Sequence, residues 1–159
     1  MKKLFAVLLS IALFASISAT AFAAEINQDS NPKTATAEIT TSVAPKYTVS
    51  IPADVTVAFN ATTTDFGSIE VTSAQIDPDK CIKVALDSNG NLINEADSTK
   101  VIPYTVTAGG AAFTSATYDA TGDKTDLTIN ITQEDWNKAY AGEYSDTVTF
   151  AVSYENKVQ

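Results

Sequence analysis

The amino-acid sequence predicts an all-β fold, and three features of the chain lead to that prediction. The chain is rich in Thr, Val, Ile and Tyr, the residues that β-strands favour. Apolar and polar residues alternate in many short runs, as they do in strands with one buried face. Gly, Asn, Asp and Pro residues that favour turns separate these runs. About eight or nine such strands predict an immunoglobulin-like β-sandwich, with a closed barrel as the alternative.

The alternating runs follow one another from residue 34 to residue 154. The last run is the clearest, because its apolar residues Val148, Phe150, Val152 and Tyr154 are separated by Thr, Ala and Ser. The other clear runs are Tyr47–Ile51, Val55–Phe59, Ile82–Leu86, Ile102–Val106 and Leu127–Ile131, and the weaker ones are Thr34–Val43, Phe66–Thr72 and Ala112–Tyr118.

Turn residues lie between several of these runs. The segment Ser88–Asn91 contains an Asn-Gly pair, which predicts a type I′ hairpin turn. Gly109-Gly110 and the segment Thr121–Lys124 predict two further turns. Pro103 cannot donate a backbone hydrogen bond, so its strand is expected at a sheet edge or at a bulge.

One short helix is predicted before the last strand, over Thr132–Ala139. Thr132 is a suitable N-cap, because its hydroxyl can accept a hydrogen bond from an unpaired amide of the first turn. Glu134 and Asp135 follow it, where negative charge favours the positive end of the helix dipole.

The first 23 residues have the pattern of a secretory signal peptide that is removed from the mature protein. Met1–Lys3 carries two positive charges, and Leu4–Ala15 is an uncharged, mostly apolar run. A helix of that length spans roughly 18 Å, too little for a retained membrane anchor, which is the alternative. Ala21–Ala23 fits the A-x-A rule of signal peptidase, so cleavage is expected before Ala24 or one residue later.

The rest of the chain is expected to hold a flexible leader, residues 24–33, and a single sandwich domain, residues 34–159. Removal of the signal peptide takes away two lysines, so the net charge of −9 becomes two units more negative. Such an acidic protein is a poor partner for nucleic acid or an acidic membrane surface. The chain has no sortase motif and no lipid-attachment cysteine, which predicts a secreted protein without a covalent anchor.

The residue inventory favours a protein that is not an enzyme and that needs no cofactor or metal. The chain has no histidine, so it cannot form a Ser-His-Asp or Cys-His pair or a histidine metal site. The run that begins at Asp87 has oxygen-bearing residues at alternate positions, as calcium loops do. Its glycine comes two places early, however, and Ser98 stands where such loops have a bidentate Glu.

Cys81 is the single cysteine of the chain, so it cannot form an internal disulfide. Alternation places it on the same strand face as Lys83, opposite Ile82. It is expected to be a plain strand cysteine, with an intermolecular disulfide as the alternative.

Trp136, Tyr140 and Tyr144 form an aromatic group near the last turn. Exposed rings of this kind could stack on sugars and bind carbohydrate, whereas a buried Trp136 would close one end of the sandwich. The buried arrangement is favoured, because the indole of the single tryptophan can bury a large apolar area in a small core. Tyr144 is also placed to reach a backbone group with its hydroxyl, as in a tyrosine corner.

The C-terminal run Ala141–Tyr154 resembles the closing strand of spore coat protein U and of fimbrial-subunit domains. It is weakly similar to the end of the WxL wall-binding domain, although Phe150-Ala151-Val152 replaces the Trp-x-Leu signature. Tyr47–Ala53 is similar to the opening of small secreted proteins of Gram-positive bacteria. The fimbrial resemblance implies a domain that lacks one strand and receives it from a neighbour, with Thr34–Val43 as the donor. The alternative is that Thr34–Val43 is the first strand of its own sandwich.

These observations predict a secreted, non-enzymatic structural or adhesive protein of a surface, coat or pilus type. Its expected partners are copies of itself or other surface proteins. The alternative function is an extracellular carbohydrate-binding module that uses Trp136 and the nearby tyrosines to bind glycans.

Overall fold

The structure is a computed structural model that describes residues 24–158, so the predicted signal peptide lies outside the described residues. The described residues divide into two units, the first ending at Thr41 and the second beginning at Ser42. Residues 24–41 of the first unit contain no helix and no strand. The prediction that Thr34–Val43 is the first strand of its own sandwich is therefore wrong. Most of its inward positions are Ala or Thr, which bury too little apolar surface to hold a strand in a sheet.

The second unit contains eleven strands and one helix, arranged in three antiparallel sheets. The five-stranded sheet has the order β1-β2-β9-β6-β7, and the two three-stranded sheets have the orders β11-β3-β8 and β10-β4-β5. The elements are β1 Lys46–Ser50, β2 Thr63–Gln75, β3 Lys80–Asp87, β4 Asn91–Asn94, β5 Val101–Pro103, β6 Thr105–Ala108, β7 Ala111–Ala112, β8 Ser115–Tyr118, β9 Lys124–Asn130, α1 Gln133–Lys138, β10 Tyr144–Ser145 and β11 Thr149–Asn156.

One buried cluster joins the inner faces of these sheets. Ile69 and Val71 of β2 and Leu127 of β9 belong to the five-stranded sheet, and Ile82 and Val84 belong to β3 of the opposing sheet. All five are almost completely buried. The alternation that predicted strands thus places apolar residues between two sheets, and the all-β sandwich is confirmed. The immunoglobulin-like strand arrangement stays a prediction.

The structure has more strands than the eight or nine predicted, because long runs are divided. The run Ile102–Val106 changes sheets at Tyr104, whose backbone N–H donates to the carbonyl of Gly90 at 2.8 Å. β5 therefore ends at Pro103 in one sheet and β6 begins at Thr105 in another. β5 lies at a sheet edge, as Pro103 predicted.

Two predicted turns are confirmed and one is wrong. Gly109-Gly110 joins the paired strands β6 and β7 with positive φ at both glycines, and Gly122 has a φ of 91° in the turn after β8. Asn89-Gly90, by contrast, does not form a hairpin, because β3 and β4 belong to different sheets. The Asn89 side chain accepts a hydrogen bond from the Asn91 backbone at 2.8 Å, so this segment is a corner between sheets.

The predicted helix is confirmed as α1. The Thr132 hydroxyl accepts a hydrogen bond from the Asp135 amide at 3.1 Å, as expected for an N-cap. Lys138 pairs with Glu134 one turn earlier. The helix is short, and its buried residue is Trp136.

The predicted strand Val55–Phe59 is wrong, because residues 51–62 join no sheet. Pro52 has no N–H to continue the ladder of β1 with β2. It packs beside Gly67, where the register of β2 shifts and φ is 95°. The register shift at Gly67 belongs to the pairing of β2 with β9 on the opposite edge, so the ladder with β1 ends at Ser50 because of Pro52, although the sequence beyond Pro52 alternates like a strand.

The last strand, β11, is confirmed but lies at the edge of its sheet and pairs with β3 alone. Its prediction as a core strand holds only in part, since Val152 is 41% exposed. Phe150 and Tyr154 are half-buried and pack against the cluster.

Candidate functional site

Trp136 is a buried residue of the core and is not an exposed ring on which a ligand could stack. Its side chain is 9% exposed, and its indole N–H donates to the carbonyl of Ala61 at 2.9 Å. The ring of Phe59 meets it edge-on, with 5.7 Å between the centroids. The tryptophan thus anchors the irregular segment 51–62 to the end of the sandwich, as the buried alternative predicted.

Tyr140 and Tyr144 line one cavity together with Trp136, but the three rings do not form an exposed platform, because Trp136 is buried. The Tyr144 hydroxyl donates to the carbonyl of Tyr140 at 3.0 Å and accepts from its amide at 3.2 Å. This is the predicted bond from a tyrosine to nearby backbone. Tyr140 itself is 63% exposed, but the ammonium of Lys100 lies 4.7 Å from its ring centroid and occupies a face that a sugar would need.

Cys81 is the second residue of β3 and is buried. It lies on the same face as Lys83, as alternation predicted, and Lys83 forms an ion pair of 3.5 Å with Glu155 on β11. A buried thiol is hard for another chain to reach, which counts against the intermolecular disulfide.

The described residues contain no group of three or more His, Cys, Asp or Glu side chains that could hold a metal ion. The loop that resembled a calcium site uses its oxygens internally. Asp97 accepts hydrogen bonds from the hydroxyl and the amide of Thr99, and these bonds hold the pKa of Asp97 below its usual value.

An open groove runs beside the start of the last strand. It consists of three adjoining cavities with volumes of about 340, 500 and 390 Å³. We call its two walls the 51–59 wall and the 142–150 wall. Apolar core residues form its floor, among them Phe66, Leu92 and Ile102.

Both walls of the groove carry unpaired backbone. Residues 51–57 and 146–148 belong to no strand and make no backbone–backbone hydrogen bond with other described residues. Unpaired amides and carbonyls can form hydrogen bonds with another chain, so two such rows across an apolar floor are a place where a further strand fits.

A short hydrogen bond fixes one wall of the groove. The hydroxyl of Tyr104 donates to Oδ2 of Asp146 at 2.5 Å and also meets the Ser88 hydroxyl at 2.8 Å. Burial, and then the bond to Asp146, raise the pKa of Tyr104 to about 12. The hydrogen bond between Tyr104 and Asp146 thus connects two places in the fold. Tyr104 is where the chain passes from one sheet to another, and Asp146 lies in the segment that precedes β11.

The charged groups along the groove are all carboxylates. Asp54 lies on the 51–59 wall, and Glu143 and Asp146 lie on the opposite wall. No lysine lines any of the three cavities in the described part of the chain. None of the three carboxylates forms a salt bridge with a described lysine.

Apart from the resemblance to fimbrial subunits, the sequence signal for the groove was a contradiction between neighbouring features. Val55–Phe59 alternates like a strand, but Pro52 immediately before it cannot continue a ladder. Such conflicts between local pattern and fold tend to occur at functional positions. The second wall gave no comparable signal.

Within residues 24–158, no helix combines the length and the hydrophobicity needed to cross a membrane. No protein-family model matches the chain, and no curated protein matches it with significant similarity. The resemblance to spore coat protein U and fimbrial-subunit domains therefore stays a prediction from the quoted residues.

Proposed function

We propose that the protein is a secreted, non-enzymatic structural or adhesive subunit that acts by accepting an extended segment of a neighbouring protein. The observation that carries this proposal is the open groove between the 51–59 and 142–150 walls. Addition of a strand to a free edge is a common mode of protein association, in which backbone hydrogen bonds supply affinity and side-chain pockets supply specificity.

The last strand supports the same function. β11 pairs with β3 on one side and is free on the other. Long unpaired edges are a liability for a protein that works alone, because they pair with other chains. A protein whose role is to join other chains uses the same property.

The N-terminal segment supplies one candidate for the accepted strand. Ile39 is 96% exposed and Val43 is 61% exposed, and neither belongs to a strand. The resemblance to fimbrial subunits implies that this segment of one copy enters the groove of another. Secretion follows in the same proposal from the signal-peptide pattern of residues 1–23.

The carbohydrate-binding alternative has less support. It relied on Trp136, which is buried and bonded to Ala61, and on Tyr140, whose ring is partly covered by Lys100. Exposed stacking faces are what such modules use. A glycan array probed with the mature protein tests this alternative, and binding that depends on Tyr140 would favour it over the structural function.

The size of the mature protein in solution tests the proposed function. Light scattering across a range of concentrations, with negative-stain microscopy, measures whether copies associate. If copies associate through the groove, a charged residue on its wall, Val148→Lys, abolishes the association, whereas Thr72→Lys on the outer face of β2 leaves it intact. A protein that stays monomeric and also binds no extended peptide of any composition contradicts the proposal.

A further inference from the structure

The charge of the groove distinguishes between possible occupants. Its charged lining residues are all acidic. Asp54 lies on the 51–59 wall of the groove, and Glu143 and Asp146 lie on the 142–150 wall. The fold therefore places three negative charges around an apolar floor, in a chain whose net charge is already −9. A peptide segment that binds in the groove is therefore exposed to a negative electrostatic potential.

The walls of the groove determine the backbone conformation of a segment that binds there. Both walls offer unpaired amides and carbonyls, so the occupant is an extended strand. In a strand, alternate side chains point to opposite faces. One set therefore contacts the floor near Phe66, Leu92 and Ile102, and the other set points outward between the acidic rims.

We propose that the groove binds an extended, basic segment of a different protein, in which apolar residues alternate with Lys or Arg. This inference rests on the proposed function, because it names the partner of the same groove. The apolar residues cover the floor, and the cations between them pair with Asp54 and Glu143. Both of these carboxylates are exposed and free of ion pairs with described lysines, so they are available to a partner.

A second copy of this chain fits the groove less well. Its exposed segment Thr34–Val43 contains Glu38 and no lysine, so it would bring a negative charge into a groove that is already acidic. Two copies with large net charges of the same sign also repel each other as they approach. Complementary charge favours a basic partner both in encounter rate and in specificity.

Peptide binding to the mature protein tests the proposal. Three synthetic peptides of about twelve residues serve as probes: one with Val alternating with Lys and Thr, one with Glu in place of every Lys, and one that copies residues 33–44. Calorimetry measures affinity, and the emission of Trp136, the single tryptophan, reports occupation of the adjoining cavity. The basic peptide is expected to bind about tenfold more tightly than its Glu counterpart at low salt, with a smaller ratio at high salt.

Two double variants show whether the preference arises in the groove. Asp54→Asn with Glu143→Gln removes two exposed rim charges and is expected to reduce the preference to about twofold. Glu70→Gln with Asp126→Asn removes the same charge from the outer face of the five-stranded sheet and is expected to leave it unchanged. Asp146 is left intact in both, because it is bonded to Tyr104.

The outcomes separate this inference from the proposed function. Equal binding of the basic and acidic peptides, or a preference that survives loss of Asp54 and Glu143, overturns the basic partner but leaves the groove as a docking site. Tighter binding of the 33–44 peptide also overturns it and identifies a second copy as the occupant. If no peptide binds, both the inference and the proposed function fail.

Discussion

The hydroxyl of Tyr104 lies 2.5 Å from Oδ2 of Asp146, and this bond connects two parts of the chain 42 residues apart. Tyr104 is the residue at which the chain passes from the β10-β4-β5 sheet to the five-stranded sheet. Asp146 begins the unpaired stretch that forms one wall of the groove. The bond therefore holds the groove wall in place from inside the sandwich.

Replacement of Tyr104 by Phe is expected to lower the free energy of unfolding by about 1–3 kcal/mol, because a hydrogen bond to a charged carboxylate is lost. Urea denaturation followed by circular dichroism measures the change. Tyr47→Phe is the control, since Tyr47 packs against the same buried cluster as Tyr104 but its hydroxyl makes no hydrogen bond with described residues. Equal effects of the two changes would show that the bond to Asp146 contributes nothing.

Stability is expected to fall in alkaline solution because of the same tyrosine. Its pKa is about 12 in the folded protein and close to 10 in the unfolded chain. A raised pKa of this kind stabilises the fold fully below pH 10, and the contribution is lost as pH rises from 10 towards 12. Urea denaturation at several pH values measures the decline, which should be shallower in Tyr104→Phe. Tyr118 and Tyr154 have pKa shifts in the same direction, so some decline remains in that variant.

Trp136→Ala is expected to destabilise the protein by about 3–5 kcal/mol, as removal of a buried aromatic ring usually does. Trp136→Phe keeps part of the ring but loses the bond to Ala61, so a smaller loss is expected. Differential scanning calorimetry compares the two. A change within about 0.5 kcal/mol for Trp136→Ala, typical of surface positions, would contradict the burial of this side chain.

Gly142→Ala is expected to be more damaging than Gly109→Ala, although both glycines have positive φ. A Cβ at Gly142 would lie 2.5 Å from Nδ2 of the buried Asn94, whereas one at Gly109 would meet nothing within 4 Å. Backbone strain alone costs about 1–2 kcal/mol, and the clash adds to it only at Gly142. Thermal melts of both variants measure the difference, and equal losses would argue against the close approach to Asn94.

The Cys81 thiol is expected to react slowly with a thiol reagent in the native protein and rapidly in urea, because it is buried. The rate of colour development with an aromatic disulfide reagent measures this. A non-reducing gel of the mature protein should show no disulfide-linked dimer. Fast native reaction, or a dimer that disappears on reduction, would revive the intermolecular disulfide.

The features predicted correctly from sequence depend on contacts over a few residues. The N-cap at Thr132, the turn at Gly109-Gly110 and the bond of Tyr144 to Tyr140 each involve residues within four positions of one another. Their geometry is determined by local stereochemistry, so the residue types are sufficient evidence.

The errors occurred where distant pairing overrides a local preference. Asn89-Gly90 suits a hairpin, but β3 pairs with β11 and β8, and β4 pairs with β10 and β5. Val55–Phe59 suits a strand, but Pro52 cannot continue the ladder with β2, and the segment has no strand partner among the described residues. Strand propensity describes what fits a half-buried pleated surface, and it does not specify which surface is available.

The sequence by itself therefore determined that the chain is an all-β sandwich with one capped helix, because alternation and capping are local properties that residue types express directly. Only the tertiary structure decided that the sandwich has a groove with acidic rims. That groove exists because Pro52, Gly67 and the residues that lead from β10 into β11 meet in space, and side chains so far apart in the chain are brought together only by the packing of the sheets.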